Sequence, residues 1–288
     1  MKLDARPAAH VMAGVLFLAL SFSPGRASGK PRVSSEGFEN IGAESSPSWG
    51  ITGSFHHEGA DERPAMKSFE VAVIIDDIGY HIHPLRELLA TGADFTFSVL
   101  PLLPKTAMCR KLLKRAKREI LLHIPMEPLT YDISAGQPGI LMTDMSPAKI
   151  LSLLEAQFRS VPEAVGAGNH MGSRFTLDRQ KMLLVLRDLK RRGRFFIDNL
   201  VIAGSCGYPL ALKSGMKAYK RDIFLDNSHR PADIKKQLSR FLSLARKTGA
   251  AVGVAHPRKN TIPALREWLP ELRAAGGRLV RLSRLKSK

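Results

Sequence analysis

Short apolar runs that end abruptly on a metal-capable or acid/base side chain recur along this chain of 288 residues. The runs are VAVIIDD with Asp76 and Asp77, EILLHIPME with His123 and Glu127, AVGAGNHMGS with His170, RFFIDN with Asp198, IFLDN with Asp226 and AVGVAHP with His256. Runs this short, bounded by Gly, Pro or Asn, are typical of strands buried on both faces, and segments of helical period lie between them. The alternation predicts a parallel α/β sheet or barrel. Its strands all end at one face, where α/β barrels keep their active sites.

Strands and helices are predicted to alternate from residue 67 to the end of the chain. The predicted strands are Glu70–Ile75, Asp94–Leu100, Glu119–Ile124, Ala164–Gly168, Arg194–Ile197, Asp222–Leu225, Ala250–Ala255 and Arg278–Leu282. The predicted helices are Pro84–Ala90, Thr106–Lys117, Pro147–Ser160, Arg179–Arg192, Pro231–Thr248 and Thr261–Ala275. Seven or eight strands over roughly 220 residues fit a (β/α) barrel. An open doubly wound sheet is the alternative, but the sequence lacks the GxGxxG and GxxxxGK[ST] motifs of nucleotide-binding sheets.

The N-terminal residues have the layout of a secretory signal. Lys2 and Arg6 precede the apolar run 11–22, and the small residues Gly25 and Ala27 follow it. We therefore predict a signal peptide over 1–27, a flexible Gly/Ser/Pro-rich linker over 28–66 and a catalytic barrel over 67–288. The apolar run is shorter than the roughly 20 residues that span a bilayer, so we expect cleavage, with an uncleaved anchor as the alternative. Either way the barrel is expected outside the cytoplasm, in the periplasm or secreted.

The charge of the chain is strongly unbalanced. Lys and Arg number 44 against 26 Asp and Glu, a formal net charge of +18. Such a protein attracts polyanions, and an anionic envelope polymer or membrane surface is a candidate partner. No helix-turn-helix, RNP-type or zinc-finger spacing accompanies the charge, so we do not expect nucleic-acid binding. The two cysteines, Cys109 and Cys206, are predicted to be free thiols.

The adjacent carboxylates Asp76 and Asp77 end the first predicted strand. A buried pair of like charges is costly unless a cation neutralises it or one member is protonated, which favours a metal site with a base beside it. Alternatively, one Asp caps the next helix and the other pairs with an Arg. His123 and His170 follow neighbouring strands, and two His with one Asp and an open position are the pattern of a catalytic Zn²⁺ site.

His256 and Asp198 also end predicted strands. A His oriented and kept cationic by a carboxylate is a ready general acid near neutral pH, although a structural His–Asp hydrogen bond would look the same in sequence. Further candidates could orient the ligands or bind substrate hydroxyls: Glu127, Asn169, Arg174 and Asp226. Serine-nucleophile chemistry is poorly supported because no GxSxG motif is present.

The strings that carry these residues resemble the divergent polysaccharide deacetylase family, a distant relative of the NodB-type carbohydrate esterases. They are IDDIG, FSVLP, EILLHIPMEP, PGIL, GNHMGSRFT, FFIDN with Ser205, RDIFLDN and AHP followed by Thr261. The resemblance runs in order from Phe69 to the end of the chain. One departure is Asp198-Asn199-Leu200-Val201, which stands where the family usually has a DSxT-like string.

The resemblance implies a distorted (β/α) barrel and a divalent cation, zinc or another, held by Asp77, His123 and His170. It also implies that Asp76 is the catalytic base and that His256 is the general acid, with Asp198 as its orienting partner. The expected activity is removal of acetyl groups from an N- or O-acetylated envelope polysaccharide by attack of a metal-bound water. The rival hypothesis is a non-catalytic envelope protein that keeps the barrel for glycan binding or scaffolding.

Overall fold

The computed structural model describes residues 68–130 and 136–286. The predicted signal peptide, 1–27, and linker, 28–66, lie outside the described residues, so both stay predictions. Among the helices of the described ranges, none is both long and apolar enough to cross a bilayer.

Within the described residues, nine strands form one sheet in which all pairings are parallel. The strands are β1 (Phe69–Ile78), β2 (Thr96–Val99), β3 (Glu119–Met126), β4 (Gly166–Met171), β5 (Phe195–Asp198), β6 (Ala218–Lys220), β7 (Ile223–Phe224), β8 (Ala250–Ala255) and β9 (Gly277–Leu279). Their spatial order is β6-β5-β4-β3-β2-β1-β8-β7, with β9 paired to β1. The predicted strands are therefore present, and β6 is an addition to them.

The sheet curls into the predicted distorted (β/α) barrel. Its two end strands, β6 and β7, are neighbours along the chain and are separated only by Arg221 and Asp222. The Arg221 N–H donates to the carbonyl of Asp198, the last residue of β5, and the Asp222 N–H donates to the Val252 carbonyl of β8. The chain itself therefore spans the gap between the two end strands. In the described part of the chain, β6 and β7 do not pair with each other, so no strand pairing closes this gap.

Helices connect the strands around the outside of the barrel. They are α1 (His83–Ala90), α2 (Thr106–Arg115), α3 (Pro147–Ser160), α4 (Arg179–Arg191), α5 (Gly207–Lys213), α6 (Pro231–Thr248) and α7 (Thr261–Ala274). Local signals fix several ends: the Asp178 carboxylate accepts from two N–H groups of α4, and Gly249 ends α6 with a left-handed φ of 80°. Helix α5 is absent from the sequence prediction because it has only seven residues and contains Gly and Pro.

Apolar side chains fill both sides of the strands, which explains their continuous hydrophobic sequences. Every residue of β3 is buried. On the inner side, a cluster that includes Ile74, Leu121 and Val254 is closed off by Leu282 and Leu285 of the C-terminal segment. The amino-terminal end of the barrel is thereby packed, and the polar residues at the carboxyl ends of the strands are left to form a site at the other end.

Candidate functional site

Asp76 and Asp77 both approach the same imidazole, that of His123, although they are adjacent in β1. Successive residues of a regular strand point to opposite faces. Here Asp77 has a φ of 58°, in the left-handed region, and the register with β2 shifts between Ile75 and Ile78. This local irregularity lets both carboxylates approach His123 Nε2, at 3.6 Å from Asp76 Oδ2 and 3.3 Å from Asp77 Oδ1. A strained conformation at such a position is typical of functional sites.

Asp77, His123 and His170 form a compact set of donor atoms. Asp77 Oδ1 lies 3.0 Å from His170 Nδ1 and 3.3 Å from His123 Nε2, and the two imidazole nitrogens are 3.3 Å apart. The parallel pairing of β3 with β4 brings the two histidines together, and the β1 irregularity supplies the carboxylate. Within the described residues, this is the group of His, Cys, Asp and Glu side chains that could hold a metal ion.

The spacing of these donor atoms fits a divalent cation. In a tetrahedral zinc site, bonds of about 2.0–2.1 Å put neighbouring donor atoms about 3.3 Å apart. The three observed separations, 3.0, 3.3 and 3.3 Å, match one face of such a tetrahedron and leave its fourth corner to another ligand. Burial by itself would raise the pKa of Asp77, but hydrogen bonds and positive charge from His123 and His170 lower it well below its usual range. The direction of this shift favours the ionised carboxylate, which is the form in which Asp binds a metal.

Asp76 is a buried carboxylate beside this set. Its Oδ2 accepts a hydrogen bond of 2.7 Å from Asn199 Nδ2. Burial raises the pKa of Asp76 above its ordinary value, and the nearby imidazoles only partly oppose that effect. A carboxylate with a raised pKa, fixed at one oxygen and adjacent to a cation site, suits a group that accepts a proton.

His256 lies on the other side of the donor atoms of Asp77, His123 and His170, and its hydrogen-bond partner is Asp226. Its Nε2 lies 3.8 Å from Asp77 Oδ2, while its Nδ1 lies 2.8 Å from Asp226 Oδ1. Asp226 Oδ2 also accepts from the His256 backbone N–H and from Thr261 Oγ1, each at 2.8 Å. Burial lowers the pKa of His256, but the hydrogen bond and negative charge of Asp226 more than offset this and raise it.

The prediction that Asp198 orients His256 is wrong. Asp198 Oδ1 accepts from the Leu200 N–H, and Oδ2 accepts from Ser205 Oγ and the Tyr208 N–H. Asp198 therefore shapes the turn after β5 and the start of α5. The sheet order explains the difference, because β7 and its following Asp226 are next to β8, whereas β5 lies between β4 and β6.

The remaining predicted residues surround the site without joining the donor set. Glu127 Oε2 accepts from the N–H and Oγ1 of Thr143, at 2.7 and 2.6 Å, and Glu127 Oε1 lies 3.2 Å from Arg174 Nε. Glu127 and Arg174 thus pair with each other and secure the loop after β3. Asn169 Oδ1 accepts from the Asn199 N–H at 2.9 Å, so Asn169 holds the turn that carries Asn199.

Asn199 is the site residue that the sequence reasoning missed. Besides Asp76, its Nδ2 contacts the Asn169 carbonyl at 3.0 Å, and its own carbonyl accepts from Arg221 Nε at 2.6 Å. Arg221 in turn stacks 3.8 Å from the centre of the Phe224 ring, and that ring stacks on His256. The departure at this position from the usual DSxT-like string was the available signal.

Comparisons with known proteins agree with this fold. A family model described as divergent polysaccharide deacetylase matches residues 73–286. An uncharacterized protein of Haemophilus influenzae is 32% identical over 203 residues, which cover 70% of this chain and 72% of the relative.

Two solved structures show the same fold. The crystal structure of an uncharacterized protein from Agrobacterium tumefaciens C58 superposes with a TM-score of 0.71 and 24% identity, covering 76% of this chain and 89% of the other. The catalytic domain of a peptidoglycan N-acetylglucosamine deacetylase from Eubacterium rectale superposes with a TM-score of 0.51 and 13% identity, covering 78% and 93%.

Proposed function

Because the chain belongs to the divergent polysaccharide deacetylase family, we propose that it is a metal-dependent hydrolase of acetyl groups on an N- or O-acetylated envelope polysaccharide. One observation carries the proposal: the donor atoms of Asp77, His123 and His170 lie between a buried carboxylate, Asp76, and a carboxylate-paired imidazole, His256. A cation ligand set flanked by a base and an acid is an arrangement that supports metal-assisted hydrolysis of an amide or ester.

Asp77, His123 and His170 would hold the divalent cation, zinc being the first candidate. When bound, the cation supplies Lewis acidity, which polarises a carbonyl and lowers the pKa of a water. The chain itself supplies ligands of the right type, because Asp77 offers a carboxylate oxygen and both histidines offer ring nitrogens towards it. An open fourth position distinguishes a catalytic zinc site from a structural one.

Asp76 and His256 divide the proton transfers between them. Asp76 takes the proton of the attacking water, and Asn199 keeps its carboxylate in a fixed orientation. His256 gives a proton to the leaving amine or alcohol from Nε2, because Nδ1 is engaged by Asp226. Asp226 thereby fixes both the orientation of the ring and the nitrogen that faces the substrate.

Export of the protein is part of the proposal. The basic, apolar and small-residue succession over 1–27 supports it, and an envelope polysaccharide would be met outside the cytoplasm. Mass spectrometry of the protein recovered from cell fractions tests it. A periplasmic or secreted protein, with or without cleavage near Ala27, is expected, whereas a purely cytoplasmic protein would contradict it.

Release of acetate tests the proposed activity. The full chain, loaded with Zn²⁺, is incubated with acetylated glycans, beginning with oligomers of N-acetylglucosamine and an O-acetylated polymer. We expect acetate release that falls by about 10²-fold or more in His256→Gln. His83→Gln is the matched control, because the His83 side chain is 84% exposed and outside the site. A folded, metal-loaded protein that binds these glycans but releases no acetate would favour the binding-module hypothesis instead.

A further inference from the structure

A basic groove of about 590 Å³ lies at the amino-terminal end of the barrel. The first residues of β3 and β5, Glu119 and Phe195, line it. The candidate active site is built at the carboxyl ends of the strands, so the groove and the site are at opposite ends of the barrel. The cationic groups of the groove come from α2, the turn after it and the C-terminal segment: Lys114, Lys117, Arg118, Arg281 and Arg284.

Acidic side chains neutralise only part of this charge. Asp94 Oδ1 lies 3.1 Å from both Arg118 Nη1 and Arg281 Nε. Glu163 also lines the groove, and its Oε1 lies 3.8 Å from Lys114 Nζ and 2.8 Å from Arg110 Nη1. Glu119 is buried, and its Oε1 accepts from Thr96 Oγ1. Lys117 and Arg284 are exposed and form no ion pair with any described residue. The groove therefore keeps a net positive charge that is open to solvent.

The same end of the barrel carries further cations around the groove. Helices α4 and α6 both end here with two basic residues in the last turn: Lys190, Arg191, Arg246 and Lys247. Cations in a last turn complement the helix dipole, so they need no ligand to explain them. Others lie beyond the helix ends and lack that explanation: Lys117, Lys217, Arg278 and Arg284. Of these, Arg278 is ion-paired, with its Nη2 2.6 Å from Glu70 Oε1. All four are exposed, so the positive charge spreads over an end face.

The polypeptide also enters the barrel at this end. Strand β1 starts at Phe69, which pairs with Gly277, and the Glu70 N–H donates to the Gly249 carbonyl. The groove and the start of β1 therefore share one end of the barrel. A partner complementary to this basic end is broad and anionic.

We propose that the groove and the surrounding basic end of the barrel dock on an anionic phospholipid membrane. Phosphate headgroups would occupy the groove between Lys117 and Arg284, and the other cations would lie near the charged surface. Attraction of clustered Lys and Arg to anionic lipid acts within a screening length of the surface and sums over the charges. Docking in this orientation directs the candidate active site away from the membrane. The proposal rests on surface charge and is independent of the proposed catalytic activity.

Vesicle co-sedimentation of the full chain tests this orientation. Phosphatidylcholine vesicles containing phosphatidylglycerol are compared with pure phosphatidylcholine, because the apolar N-terminal run could bind either kind and only the difference reports charge. Lys117→Glu/Arg284→Glu removes the groove cations. Lys105→Glu/Lys259→Glu is the matched control, since it makes the same charge change at exposed residues beyond the carboxyl ends of the strands. Lys117→Gln/Arg284→Gln provides a milder change if the first variant misfolds.

We expect the wild type to prefer anionic vesicles in a salt-dependent way. The groove variant should lose at least about tenfold in apparent affinity, the glutamine variant an intermediate amount, and the control less than about twofold. Equal losses in the groove variant and the control would overturn the proposal, as would a wild type without preference for anionic vesicles. Binding to a soluble acidic polysaccharide, but not to anionic vesicles, would also overturn it and identify a polymer as the partner.

Discussion

Asn199 Nδ2 donates a 2.7 Å hydrogen bond to Asp76 Oδ2 across 123 positions of sequence. The bond joins the turn after β5 to the end of β1, and both residues are buried. A neutral amide at this point satisfies one carboxylate oxygen without adding a charge. The orientation of the proposed base therefore depends on a side chain that belongs to neither the base nor the ligand set.

Asn199→Leu should reduce acetate release by about 10²-fold while metal content stays unchanged. Misplacing a reacting group by about 1 Å costs a factor of this size. The loss should fall on kcat more than on KM, because Asn199 is buried and orients the base. Steady-state kinetics with metal analysis measure both quantities, and Asn227→Leu, an exposed substitution in the loop after β7, serves as the control. Unchanged kcat in Asn199→Leu would contradict the positioning role.

Asp226→Asn should make the free energy of unfolding depend less steeply on pH in the acid range. Burial alone would raise the pKa of Asp226, but hydrogen bonds and charge from His256, with Thr261, lower it in the fold. As the pH falls, the Asp226 carboxylate therefore takes up its proton in the unfolded chain before it does so in the folded chain. The contribution of Asp226 to the free energy of unfolding is present above the unfolded pKa of about 3.9 and is lost as the pH falls through the folded pKa.

Urea unfolding of the full chain between about pH 5 and pH 2 checks this expectation. The unfolding free energy of the wild type should fall more steeply than that of Asp226→Asn, and the two curves should converge. Asp233→Asn removes a carboxylate whose ion pair with Arg230 is solvent-exposed, so it should leave the slope nearly unchanged. Parallel curves for the wild type and Asp226→Asn would show that Asp226 has no such linkage.

Gly168→Ala should destabilise the barrel beneath the site. A Cβ at Gly168 would lie 2.7 Å from Ile197 Cγ2 and 3.1 Å from the Ile197 carbonyl oxygen, so β4 would be forced away from β5. We expect a loss of about 1–3 kcal/mol in the free energy of unfolding. Gly253→Ala is a graded comparison, since its closest contact is 3.0 Å to a Phe241 ring atom. Denaturant titration should rank Gly168→Ala as the more damaging; the reverse order would contradict the packing argument.

Both cysteines should be unreactive in the folded protein. Cys109 and Cys206 are free and buried, and burial raises the pKa of Cys109 to about 11. A thiol reagent should therefore titrate neither cysteine rapidly in native protein and both after denaturation. Rapid native labelling, or loss of both thiols to a disulfide, would disagree with the structure.

Much of the site could be predicted because the ends of buried strands can be recognised in the sequence. Asp76, Asp77, His123, His170 and His256 each follow a continuous apolar run, and parallel strands bring such positions to one end of a barrel. The prediction of free thiols is confirmed as well. The catalytic and ligand roles of these residues stay predictions.

The sequence could not show which other side chain each site residue contacts. Asp198 and Asp226 stand in near-identical strings, FIDN and FLDN, so local sequence offers no basis for choosing the partner of His256. The order of strands decides it, because β7 pairs with β8. The role of Asn199 likewise depends on the turn that Asn169 and Arg221 hold, which is a tertiary arrangement.

The central claim is that Asp77, His123 and His170 hold a divalent cation, and metal analysis tests it most directly. The full chain is loaded with Zn²⁺, desalted and analysed for bound metal, alongside Asp77→Ala, His170→Ala and His256→Gln, with circular dichroism to confirm folding. We predict near-stoichiometric zinc in the wild type and in His256→Gln, and its loss in both ligand variants. A folded wild type that stays empty, or ligand variants that retain the metal, would contradict the account.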